Sequence, residues 1–157
     1  MILRLLEKLN RKRVILDRLG NEYMHRYYLE FYLGFKEKLN AHDTVRPYPN
    51  IFLHKLLLSD EDRDVHDHPW NYCTIILAGG YWEWTPVFNA AGSKIGELSK
   101  WRGPGSIIWR RAETFHRLEM HSPTWTLFMH GWRFREWGFF TNKGWVDRVT
   151  YINNKST

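Results

Sequence analysis

Residues 66–82 read HDHPWNYCTIILAGGYW, and the reading of this stretch decides the fold. Two histidines one residue apart are followed by Pro69, two large aromatics, the chain's single cysteine, an apolar run and a pair of glycines. Tyr72–Leu77 has the β-branched and aromatic character of a strand. Ala78-Gly79-Gly80, set before a second aromatic run at Tyr81–Thr85, predicts a tight hairpin. Residues two apart in a strand share one face, so His66 and His68 would present both imidazoles together, roughly 6–7 Å apart along the chain. Asp67 would face the other way.

The same texture extends outward from this stretch. Beyond Tyr23, β-branched and aromatic residues recur between Gly, Pro and Asn, the rhythm of an all-β sandwich or barrel. Further strands are expected at Tyr27–Tyr32, Ile51–Leu58, Ser106–Arg110, His116–Met120, Trp125–His130 and Arg133–Trp137, with a longer exposed loop over residues 86–97. Upstream, Ile2, Leu5, Leu6, Leu9, Leu16 and Leu19 fall at roughly helical spacing with charges between them, and Gly20-Asn21 offers a stop. The expected organisation is one domain over residues 1–157. An amphipathic basic helix, residues 1–20, packs outside a barrel covering about residues 23–150.

Composition narrows the class. The chain has 157 residues, of which 43% are hydrophobic and 17% aromatic, enough to build a core and far from a disordered composition. One cysteine excludes an intrachain disulfide and points to a reducing, cytoplasmic setting. No apolar run is long enough to cross a membrane, and the start lacks the pattern of a secretory leader. The net charge of +6 is uneven: residues 1–20 carry six basic and two acidic side chains, residues 60–67 one basic and five acidic. The basic terminus could meet nucleic acid, or could simply be a solvated face. Dinucleotide and phosphate loops, the metalloprotease and serine-hydrolase motifs and cysteine-rich zinc patterns are all missing.

Two imidazoles hold a metal poorly, so a third ligand must arrive from another strand. His116 qualifies: it follows the turn Gly103-Pro104-Gly105 and the strand Ile107-Ile108-Trp109, and an antiparallel return could bring it opposite the pair. Three neutral imidazoles suit divalent iron, zinc, nickel or copper better than calcium or magnesium.

These residues carry a family resemblance. The chain resembles the cupin superfamily, whose first motif is built on HxH and whose second places a Pro-x-Gly-like turn before a later histidine, here His66-Asp67-His68 and Pro104-Gly105 leading to His116. The resemblance covers about residues 50–138. It implies an all-β, cupin-like double-stranded β-helix (a jelly-roll barrel), with the N-terminal α-helix outside. Where many cupins have a glutamate ligand, this chain has Tyr72 and Cys73, which favours a three-histidine site. At the level of that site it is similar to the thiol dioxygenases such as cysteine dioxygenase, which use three histidines on divalent iron. Their late Ser-x-His-x-Tyr pattern corresponds here to Phe128-Met129-His130-Gly131-Trp132. The kinship is one of site architecture, not of substrate.

The remaining candidates have two readings each. His130 shares strand parity with Phe128 and Thr126 and could move protons in the cavity, or could be a satisfied core histidine. Alternation sends one of Arg110 and Arg111 inward; Arg110 would bind an anionic substrate, or pair with Glu83 or Glu113. Tyr72, Trp70 and Trp132 would wall the substrate pocket, or supply core volume. Cys73 reads as a small buried hydrophobe. His25, His42, His54 and His121 have no partner at suggestive spacing and read as surface or structural. The expected function is a metal-dependent enzyme acting on a small polar or anionic molecule, foremost a mononuclear iron dioxygenase with Fe(II), O₂ as co-substrate, and zinc or nickel as the alternative ions. A non-catalytic metal- or ligand-binding cupin and a nucleic-acid-associated protein are the competing readings, and a homodimer is compatible with all three.

Overall fold

A computed structural model describes residues 1–17, 19–29, 49–60 and 64–155. In chain order the elements are α1 (Ile2–Lys8), β1 (Lys12–Leu16), β2 (Glu22–Tyr28), β3 (Asn50–Leu56), β4 (Val65–His66), β5 (Tyr72–Ala78) and β6 (Tyr81–Phe88). They continue with β7 (Lys94–Arg102), β8 (Ile107–Arg110), β9 (Arg117–Glu119), β10 (Thr124–His130), β11 (Gly138–Thr141), β12 (Gly144–Asp147) and α2 (Arg148–Lys155).

One layer is a six-stranded sheet in the order β1-β2-β3-β10-β5-β8. Strict alternation builds its inner face: Asn50, Phe52, His54 and Leu56 are buried on β3, and Tyr72, Thr74 and Ile76 on β5. Two three-stranded sheets, β12-β11-β4 and β7-β6-β9, oppose it. They are joined where His66, in β4, forms an antiparallel bridge with His116, one residue before β9. The sequence therefore runs β12-β11-β4-β9-β6-β7 across the second layer. Leu56, Ile76, Tyr81 and Ile108 form the shared core, with Met24, Leu118 and Met120 packed against it. All named strand pairs are antiparallel. The result is an all-β barrel of the jelly-roll kind, with α1 outside it and Leu6 as that helix's buried anchor.

Several sequence expectations need correction. The helix over residues 1–20 is only seven residues long. Asn10 turns the chain at φ 56, and the β-branched pair Val14-Ile15 then continues as β1 against β2. The apolar stripe breaks between Leu9 and Leu16, so the second half finds a better partner in a strand edge than in its own helix. Ala78-Gly79-Gly80 is not a hairpin, because β5 and β6 belong to different layers. It is a corner, with Gly79 at φ 78 and Gly80 at φ 150, pinned by Thr124 Oγ1, which accepts from Gly80 N at 2.9 Å and donates to Gly80 O at 2.8 Å. Residues 86–97 are mostly strand, leaving a tight turn at 89–93. The late strand lies at Gly138–Thr141, not Arg133–Trp137, and helix α2 was missed. The expected strand Tyr27–Tyr32 begins earlier, at Glu22, and its end lies outside the described residues, as does His42.

Candidate metal centre

The bridge between the two halves of the second layer builds the site. His66 N donates to His116 O, and His116 N to His66 O, each at 2.9 Å, so the two residues face each other across the seam. His68 lies beyond the end of β4, where its N–H is held by Ala112 O at 2.9 Å. The potential ligand nitrogens of His66, His68 and His116 all lie within 4.8 Å of one another. His68 Nε2 and His116 Nε2 are 2.9 Å apart. Two nitrogens bound at right angles to one first-row divalent ion, about 2.0–2.1 Å from it, stand about 2.9 Å from each other. The donor set fits such an ion.

Residues around the trio orient it. Asp67, between the two histidines, is fully buried and turned away from them. It accepts from Gly138 N at 2.7 Å, Arg135 Nη1 at 2.7 Å and Trp145 Nε1 at 3.1 Å. Those three bonds lock the backbone that carries His66 and His68. Glu83, only 2% exposed, stands behind His116, its Oε1 3.3 Å from Nδ1, near enough for attraction though off the line of a good hydrogen bond. It also accepts from Arg102 Nε at 2.8 Å and Arg110 Nη2 at 2.5 Å. Burial pulls the Glu83 carboxyl upward, but the close approach of His116 and the hydrogen bonds and charge of Arg110 outweigh it and hold the group at about 2. A carboxylate at Nδ1 favours the tautomer whose Nε2 lone pair faces the site. The Tyr72 hydroxyl lies 3.1 Å from that nitrogen, and burial first, then Glu83, keeps it a neutral phenol. On the third histidine, Asp60 Oδ2 lies 3.9 Å from His66 Nδ1 and accepts from Leu118 N, while Oδ1 accepts from the Tyr23 hydroxyl. Burial, then the neighbouring His116 and His66, hold His68 well below its ordinary 6.5, so it presents a neutral ring.

The three histidines open onto a cavity of about 140 Å³ between the layers, lined also by Arg26, His54, Trp70, Tyr72, Thr126 and Phe128. A single water needs about 10–15 Å³ of such space, so this is room for a small organic molecule. Tyr72 and Trp70 thus stand where a substrate would contact them. Three other expected site residues do not. Arg110 is spent on Glu83, which makes it part of the histidine support and not a substrate contact. Trp132 is 61% exposed and lies off the cavity lining, because β10 ends at His130 and alternation no longer governs it. His130 does not line the cavity; it stacks on Trp70 at 4.1 Å, and its Nδ1 lies 2.8 Å from Gly131 O. It acts as a support under the Trp70 wall. Cys73 alternates to the other face of β5 and is likewise absent from the lining.

Sequence reading passed over Arg26 and gave His54 only a surface or structural role; the two meet because β2 and β3 pair in that register. Asp67 carried a signal in its place inside HxH; Glu83 carried none beyond its pairing with an arginine.

The fold and site together define the class, which is the cupin fold. No family model matches the chain, and no curated protein matches it in sequence. Solved structures do match. A cupin-2 domain protein of Rhodospirillum rubrum aligns over 91% of this chain and 80% of its own, at TM-score 0.55 and 8% identity. HEPD of Streptomyces albus, with 2-hydroxyethylphosphonate and Fe(II) bound, aligns over 79% of this chain at TM-score 0.50 and 12% identity. Hydroxypropylphosphonic acid epoxidase from S. wedmorenis aligns over 77% at TM-score 0.48 and 12% identity. This chain spans 25% of the length of HEPD and 56% of that of the epoxidase.

Proposed function

We propose that this chain is a metal-dependent cupin enzyme with a mononuclear three-histidine centre, acting with O₂ on a small polar or anionic molecule. The observation that carries the reading is the convergence of His66, His68 and His116 at the mouth of a cavity that also holds Tyr72 and Trp70. HEPD is a precedent for Fe(II) in this fold; the reading for this chain rests on its own residues. Among the described residues, no carboxylate joins the three imidazoles as a fourth ligand. Asp60 and Glu83 face the Nδ1 sides of His66 and His116.

A divalent iron held there would supply a Lewis-acidic, redox-capable centre with positions left for substrate and O₂. The chain's own contributions are orientation, exclusion of water and a proton donor. Glu83 and Asp67 fix the rings, while Trp70, Phe128 and Leu118 supply dry walls. The Tyr72 hydroxyl, held neutral, can donate a hydrogen bond to an oxygen bound beside His116.

The test is to purify the protein anaerobically, load it with Fe(II), and follow O₂ consumption with a panel of small hydroxy, thiol and amino acids. The proposal expects substrate-dependent uptake that His68→Ala abolishes. Uptake that is unchanged by that substitution would refute it. The narrower resemblance to thiol dioxygenases makes thiols the first compounds to try, although Cys73 lies on the far face of β5. Among the described residues no helix is long and apolar enough to cross a membrane.

A further inference from the structure

The cavity holds one arginine that forms no ion pair with a carboxylate among the described residues, and it is not Arg110, the arginine named from the sequence. Arg26, on β2, lines the same cavity as the three histidines. Its Nε donates to His54 Nε2 at 3.0 Å, and its guanidinium lies over the Phe52 ring at 4.6 Å. His54 is itself buried and held neutral, by burial first and then by Arg26 and His130. The other polar neighbour of Arg26 is the Tyr28 hydroxyl, and Arg13 adds a like charge. Among the described residues no carboxylate forms an ion pair with it. The one acidic side chain among the cavity-lining residues, Asp60, is engaged by Tyr23 and Leu118 N beside His66. Every other pairing arginine of the barrel interior has its carboxylate: Arg102 and Arg110 share Glu83, Arg117 has Glu97, and Arg135 has Asp67.

A guanidinium withdrawn from water without a counter-charge is costly unless an anion arrives to meet it. Here Nε and the ring face are already committed to His54 and Phe52, which fixes the plane of the group. The Tyr28 hydroxyl also hydrogen-bonds the group, and the N–H donors that remain suit an oxygen of a carboxylate or phosphonate.

We propose that Arg26, aligned by His54 and Phe52, is the oxyanion anchor of this cavity, and that the ligand is a small organic acid. The acid group docks on Arg26 while the remainder of the molecule reaches toward the three histidines. The inference builds on the metal-centre reading given above, and names the substrate class of that site. The cavity has room for a small acid, and the shared chemistry is a planar or tetrahedral oxyanion.

The experiment measures binding, not turnover. Isothermal titration calorimetry reads occupancy of the full-length protein, with and without added zinc. The probes are acetate, glycolate and methylphosphonate at millimolar concentration, with acetamide and ethylene glycol as uncharged partners of similar size. The wild type is expected to take an acid in preference to the uncharged probes, and the carboxylate and phosphonate arms tell which oxyanion it prefers. Arg26→Gln should weaken that acid about 10- to 100-fold, the range of a charge-assisted hydrogen bond. Arg26→Lys, which keeps the charge and loses the guanidinium, should fall between them. Circular dichroism and bound zinc are expected to match the wild type in both variants. Equal binding of acids and uncharged probes, no binding of any acid, or acid binding unchanged in Arg26→Gln would overturn the proposal. Loss of zinc binding in the wild type alone, with Arg26-dependent acid binding intact, would refute the metal centre and leave the anchor standing.

Discussion

At the scale of single residues, the carboxylate behind His116 does two jobs that can be separated by experiment. Glu83 orients the imidazole, and it neutralises Arg102 and Arg110. Glu83→Gln keeps the shape and removes the charge. Metal affinity should drop about 10- to 100-fold, as for other carboxylates behind a ligand histidine, measured by chelator competition. Stability at neutral pH should fall by about 2–4 kcal/mol, because two largely buried guanidinium groups lose their partner. An unchanged affinity would show that Glu83 serves the arginines alone. Acid exposes two further groups. Burial, then Arg26 and His130, hold His54 well below 6.5, so the folded protein resists a proton that the unfolded chain accepts. The stability linked to His54 is complete above about pH 6.5 and drains away as the pH falls below it. Glu83, depressed from 4.5 to about 2, contributes stability above about pH 4.5 that is lost as the pH falls toward 2. Melting curves of the chelator-treated protein should therefore decline in two stages, with His68 and His130 adding to the upper and Glu97 to the lower, and Glu83→Gln should shrink the lower one. A melting temperature that stays flat from pH 7 to pH 5 would contradict the placement of His54.

The elements show how the chain is folded back on itself. The corner at Gly79 sends β5 out of one layer and β6 into the other. A Cβ there would stand 2.5 Å from Pro123 O, whereas Gly92 has the same φ of 78 with open space around it. Gly92→Ala should cost about 1 kcal/mol, the price of a left-handed backbone alone. Gly79→Ala should cost about 2–4 kcal/mol, since a clash with backbone adds to that strain. Denaturant midpoints of the two variants decide it, and equal losses would mean the corner can relax. This corner also marks the boundary of what the sequence could reveal. The strands were legible because Tyr72–Leu77, Trp125–His130 and Ile51–Leu58 alternate or carry β-branched and aromatic residues. His66 and His68 were legible through their spacing, and His116 through the turn before it. Partner choice was not legible, since a Gly-Gly pair reads the same in a hairpin and in a corner between layers. Arg26 and His54 belong to strands separated by a long stretch of chain, and only the β2–β3 register brings them together. Parity sent one of Arg110 and Arg111 inward without choosing between them, and of the two readings of Arg110 the structure shows the pairing with Glu83.

Across the whole molecule, a six-stranded sheet faces a second layer whose two three-stranded halves meet at the seam where His66 and His116 bridge. Phe52, Tyr72 and Phe128 stack in series along the wall opposite that seam, with ring centroids 6.3 Å and 5.2 Å apart. The barrel therefore owes its core to those rings and to Leu56, Ile76, Tyr81 and Ile108, and the seam can lose a histidine without unfolding it. His121, exposed just beyond the end of β9, provides the matched control. The measurement that tests the metal centre most directly is bound Fe(II) per chain after anaerobic loading and desalting, read for the wild type, His68→Ala and His121→Ala beside their circular dichroism. The account predicts one ion per chain in the wild type and in His121→Ala, a sharp loss in His68→Ala, and the same β-rich spectrum in all three. Full occupancy in a folded His68→Ala protein would contradict it.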